Sequence, residues 1–155
     1  MLISLALNIS VRVETGRYNG AASVYLGPVL FGVHPRETFT TMAHWAFDSN
    51  DYNVTNATAW NYGLVLTGIN EKLPNYGMTI LSRDGGPSPL LPFSTEDPPL
   101  LLLADVAAVP HWGVESNAAA PPPQSPLGVP PTPIKRIPLY PYGATRLRIA
   151  ELPYF

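Results

Sequence analysis

Cysteine is absent from this chain of 155 residues. Its absence removes disulfides, thiolate metal sites and cysteine nucleophiles together. Charge is scarce: Asp, Glu, Lys and Arg make up 13% of the residues, against about 25% in an ordinary soluble domain. The nine basic and eleven acidic residues are scattered. The chain therefore has neither the basic stripe of a nucleic-acid binder nor an acidic tail. Long hydrophobic runs are missing too. The longest, Leu100 to Val109, holds Asp105 and lies between Pro99 and Pro110; it is about half the ~20 residues that a spanning helix needs. The apolar stretch Met1 to Ile9 has no basic region and no convincing cleavage site, which argues against a signal peptide. Nucleic acid and membrane are thus not expected as partners. So little charge leaves a thin polar coat, and predicts that a partner domain or a glycan covers part of the surface.

What is present in excess is proline, at 19 residues, more than twice the usual share of about 5%. Each proline fixes φ and removes a backbone donor, so long helices are not expected. Short strand-like runs between turn residues fit better. Val11 to Glu14 alternates apolar and charged residues, as a half-buried strand does. Ser23 to Leu26 and Val29 to Val33 read as strands joined at Gly27-Pro28, and Tyr62 to Leu66 as another. The continuous apolar run Leu100 to Val109 predicts a strand covered on both faces. Ile134 to Leu139 reads as an edge strand, because Pro138 cannot donate to a ladder. Arg146 to Ile149 alternates and closes the set. Gly85 to Pro99 and Ala118 to Pro133 read as proline-rich loops with polyproline II character. The expected fold is all-β: one antiparallel β-sandwich-like domain over residues 1–155, with long proline-rich loops.

Few side chains suggest chemistry. His34, His44 and His111 are scattered and lack the spacing of a zinc site, so neither a metal site nor a cofactor is expected. Among Asp48, Asp51, Glu71, Asp84, Glu96, Asp97, Asp105, Glu115 and Glu151, no spacing singles out an acid–base pair. Asp105 is the most conspicuous, and an arginine partner is the simpler expectation for a carboxylate in an apolar run. No serine sits in a nucleophile elbow. No catalytic residue is assigned. Aromatic faces suit the apolar faces of sugar rings, which makes Trp45, Trp60, Trp112 and Tyr62 candidates for sugar contact; packing in a core or an interface is the commoner role. Three sequons, at Asn8, Asn53 and Asn56, are candidate N-glycosylation sites and would mark exposed loops if the protein is secreted.

Several segments together resemble a known family. Gly27-Pro28-Val29-Leu30-Phe31 is similar to a Gly-Pro-Leu-Leu-Phe strand of the β-L-arabinofuranosidase family, glycoside hydrolase family 127. Asp51-Tyr52 followed by Ala59-Trp60-Asn61-Tyr62-Gly63-Leu64 resembles its fungal-type Trp-Asn-Tyr-Ala/Gly-Leu segment. Val109-Pro110-His111-Trp112, then Ala120-Pro121-Pro122-Pro123-Gln124-Ser125-Pro126, resembles its Pro-x-Trp and Pro-Pro-Pro-x-Ser-Pro stretches. Pro141-Tyr142-Gly143-Ala144-Thr145-Arg146-Leu147-Arg148-Ile149 is similar to its closing Pro-Tyr-Gly-x-Thr-x-Leu-Arg-Ile segment. The segments keep the family's order and span about Val11 to Pro153.

The resemblance implies an (α/α)6 catalytic barrel followed by β-sandwich domains, with a cysteine nucleophile and a zinc site on the barrel. This chain matches only the β region and contains no cysteine, so no catalytic residue or zinc ligand carries over. The expectation is a non-catalytic accessory domain, a fragment or C-terminal part of a larger secreted glycosidase, with the barrel as partner and plant cell-wall carbohydrate as a candidate ligand. The alternative is a free-standing carbohydrate-binding module.

Overall fold

A computed structural model describes residues 9–69, 76–82 and 93–155. The architecture is all-β and antiparallel, of the β-sandwich type, with its sheets curled into a half-barrel. The main sheet is built from β1 (Val11–Glu14), β2 (Ser23–Leu26), β3 (Val29–Val33), β6 (Tyr62–Leu64), β7 (Thr79–Ser82), β8 (Leu100–Ala108) and β11 (Lys135–Pro141). Its strand order is β1-β2-β3-β11-β8-β6, and β7 also pairs with β8. Two hairpins stand apart from it: β4 (Glu37–His44) with β5 (Asn50–Asn56), and β9 (Val114–Glu115) with β10 (Ala118–Ala119). No helix among the described residues is long and apolar enough to cross a membrane.

Period-2 alternation builds the core. Val24 and Leu26 of β2, Phe31 and Val33 of β3, Leu102, Ala104 and Val106 of β8, and Leu139 of β11 are all buried. Burying each large apolar side chain contributes roughly 1.5–3 kcal/mol. Gly27 takes φ 56° in the two-residue turn between β2 and β3. Glycine at the first turn position and proline at the second suit the twist of a hairpin.

The C-terminal segment closes the curl. Val33 exchanges both backbone hydrogen bonds with Ile149, at 2.8 and 3.0 Å, and Ala22 does the same with Leu152, at 2.8 and 2.9 Å. At the far edge of the sheet the Leu64 N–H donates to the Pro153 carbonyl, and the Phe155 N–H donates back to Leu64, both at 2.9 Å. Residues 149–155 thus satisfy backbone groups that β3 and β6 would otherwise leave open, which is how a sheet edge is protected. Gly32 is required here, because a Cβ on it would lie 2.6 Å from the Ile149 carbonyl oxygen. The proline-rich stretch is tied to the same closure: Ser125 donates to the Asn19 carbonyl at 2.9 Å, and Leu127 to that of Tyr154 at 2.7 Å.

Three expectations are corrected. β11 is not an edge strand, since it pairs with both β3 and β8. It tolerates its prolines because Pro138 pairs only with β8 and Pro141 only with β3. Each proline therefore falls where the strand has one neighbour. Second, Arg146 to Ile149 is not a strand; only Ile149 makes a bridge, to Val33. Third, β8 is not covered equally on both faces: Leu102, Ala104 and Val106 are buried, whereas Leu101, Leu103 and Asp105 are half-buried. The predicted loop from Ala118 starts with β10, and the part of the predicted Gly85 to Pro99 loop up to residue 92 lies outside the described residues.

Candidate functional site

An open groove of about 530 Å³ lies beside β5. Its walls come from Pro35, β5, Trp60, the β9–β10 hairpin, and residues 146–149. A volume of this size falls within the usual range of small-molecule sites, roughly 300–1,000 Å³.

Trp60 is held by Trp112. Their rings meet edge to face, with centroids 5.0 Å apart. Trp112 is only 4% exposed, and its indole N–H donates to the Ala120 carbonyl at 2.7 Å. The Trp112 ring is therefore a fixed floor, and Trp60 is the half-buried aromatic that reaches the groove.

The opposite wall is positioned by Glu37. One oxygen of its carboxylate accepts the backbone N–H groups of Arg146 and Leu147, at 2.9 and 2.7 Å. The other lies 3.9 Å from the Arg146 guanidinium, which is 77% exposed. The Arg146 guanidinium also sits 5.3 Å from the centre of the Phe39 ring. Arg148 lies 3.9 Å from the centre of the Tyr142 ring and donates to the Thr145 carbonyl. Asn56 and Asn117 add amides to the lining, which contains no Asp or Glu.

The sequence candidates divide. Trp60 lines the groove. Trp112 and Tyr62 are buried members of the core, so neither presents a face for a sugar to stack on. Trp45 is 62% exposed near the β4–β5 turn, where its indole N–H donates to Asp51 at 2.8 Å. Asn53 and Asn56 are exposed on β5 and border the groove; they lie on a strand and not in the expected loop. Asn8 lies outside the described residues. Asp105 has the arginine partner expected of it: Arg136 donates to its carboxylate at 3.0 Å. Glu151 is exposed. His34 approaches the Leu147 carbonyl at 3.4 Å and His44 the Asn50 amide oxygen at 2.6 Å, while His111 is exposed. Among the described residues no cluster of His, Asp or Glu is arranged to hold a metal ion.

Sequence reasoning passed over Glu37, Arg146 and Arg148. Glu37 carries no local signal, because its partners lie more than 100 residues away. The two arginines were visible only as the polar half of an alternating run and as part of the closing segment of the resemblance. No family model, curated protein or solved structure matches the chain.

Proposed function

We propose that this chain is a non-catalytic accessory β-domain that packs against a larger partner, resembling the β region that follows the barrel in β-L-arabinofuranosidase-like glycosidases. The observation that carries this reading is the β4–β5 hairpin. Met42, Trp45 and Phe47 stand exposed on it, Phe47 wholly so at φ 63°, and Phe39 and Tyr52 are about half exposed. A bulky residue in the left-handed region is costly, and aromatics massed on a hairpin outside the main sheet are what a covered interface uses. The scarcity of charge, at 13%, supports the same reading. Secretion and N-glycosylation at Asn53 and Asn56 belong to this proposal and are supported by the exposure of both asparagines.

The test is expression of residues 1–155 alone and together with an (α/α)6 barrel domain of that family. Self-association of the isolated chain, relieved by the barrel or by changing Trp45 and Phe47 to serine, is the expected result. A concentrated, stable monomer that releases sugar from an arabinofuranoside unaided would sink the proposal.

A second reading, a free-standing carbohydrate-binding module, has one specific observation in its favour. Trp60, braced from behind by Trp112, borders an open groove together with the amides of Asn56 and Asn117. An aromatic ring beside planar hydrogen-bonding groups is the pairing that sugar recognition requires.

A further inference from the structure

From the polarity of the groove we infer its ligand class: an oligosaccharide carrying a carboxylate, that is, a uronic-acid-bearing sugar. The inference deepens the carbohydrate-binding reading and rests on it. Arg146 and Arg148 are among the lining residues, and no Asp or Glu is. Glu37 offsets Arg146 only in part. One of its oxygens is taken by two backbone N–H groups, and the other stands 3.9 Å from the guanidinium, beyond hydrogen-bonding distance. Arg148 pairs with no carboxylate among the described residues and is held by the Tyr142 ring and the Thr145 carbonyl. The groove therefore keeps an excess of positive charge.

A guanidinium presents its donors as a planar fork that matches a carboxylate, and it keeps its charge at any working pH. The Phe39 ring beside Arg146 and the Tyr142 ring beside Arg148 hold the two groups without neutralising them. Trp60 supplies a surface for the sugar ring, and Asn56 and Asn117 supply donors and acceptors for hydroxyls. A neutral sugar would use the aromatic and the amides and leave the arginines unanswered. An acidic sugar uses all of them.

The experiment is calorimetric titration of the full chain with trigalacturonate and with a neutral galactose trisaccharide. The protein is made in a bacterial host, so that Asn53 and Asn56 carry no glycan at the groove. The acidic trimer is expected to bind at least about tenfold more tightly, an advantage that shrinks as salt is raised. Arg146→Gln is expected to abolish that advantage, weakening the acidic trimer at least about tenfold and the neutral one far less. Arg146 is 77% exposed, and its backbone bond to Glu37 survives the change, so the variant keeps the fold. Trp60→Phe is expected to weaken both sugars, and Trp45→Ser, on the separate hairpin turn, neither. Equal affinity for the two trimers, or a preference untouched by Arg146→Gln, would overturn the acidic assignment and leave the carbohydrate-binding reading standing. No heat from either sugar overturns both.

Discussion

Glu37 shows how much one side chain can organise. By accepting the N–H groups of Arg146 and Leu147 it withholds two donors that a strand would need for its ladder. The alternating run Arg146 to Ile149 therefore wraps around a carboxylate until Ile149 meets Val33. Glu37→Ala leaves both donors without this partner, and should cost about 1–3 kcal/mol. Urea unfolding monitored by circular dichroism would measure it. Gly32→Ala tests a different contact. The added Cβ would meet the carbonyl of Ile149 at 2.6 Å, and backbone cannot rotate away as a flexible side chain can. A loss of roughly 1–3 kcal/mol, the usual cost of overpacking, is expected in the same assay. The paired Asp105 and Arg136 make a useful contrast. Their side chains are 33% and 43% exposed, so a double-mutant cycle should return a coupling of no more than about 1 kcal/mol.

At the scale of elements, what could be read in advance was what alternates or is bounded by turn residues. β1, β2 and β3, with the Gly27-Pro28 turn, were legible for that reason, and so was most of β8. The β4–β5 hairpin was not, although threonine and phenylalanine favour strands. Its register shifts between Thr41 and Ala43, and an inserted residue breaks the period of two. β9 and β10 have two residues each, too short to leave any pattern. Pro138 misled because the rule for proline acts on each residue's own neighbours, and β11 changes neighbours along its length. The groove was legible only through Trp60 and the sequons at Asn53 and Asn56, since its other walls meet by long-range closure. Among the described residues the β4–β5 hairpin pairs with no other strand, which makes a prediction at this scale. Replacing Trp45 to Ser49 by Asn-Gly should lower Tm by no more than a few degrees, because the buried core is untouched, and should raise solubility by removing exposed aromatics. A large fall in Tm, measured by differential scanning calorimetry, would place the turn in the cooperative core.

For the molecule as a whole, the decisive connection is the one made last in the chain. The main sheet is curled but not closed by its own strands. Residues 149–155 link Ala22, just before β2, and Val33 of β3 to Leu64 on the edge strand β6, and place Leu152 and Pro153 fully inside. Removing Leu152 alone, as Leu152→Ala, should cost about 2–5 kcal/mol through lost burial and the cavity left behind. Removing the whole segment adds the loss of Pro153 and leaves backbone groups of Ala22, Val33 and Leu64 without their partners. Domains of this size are stable by only about 5–15 kcal/mol. Truncation after Arg148 should therefore abolish cooperative unfolding, whereas Leu152→Ala should keep it at a lower midpoint. Near-ultraviolet circular dichroism together with amide hydrogen exchange separates the two outcomes. Protection of β3 and β6 should disappear first, because those strands depend on the segment for their outer hydrogen bonds. If the truncated chain kept native protection there, the half-barrel would be self-supporting and the closure only a covering.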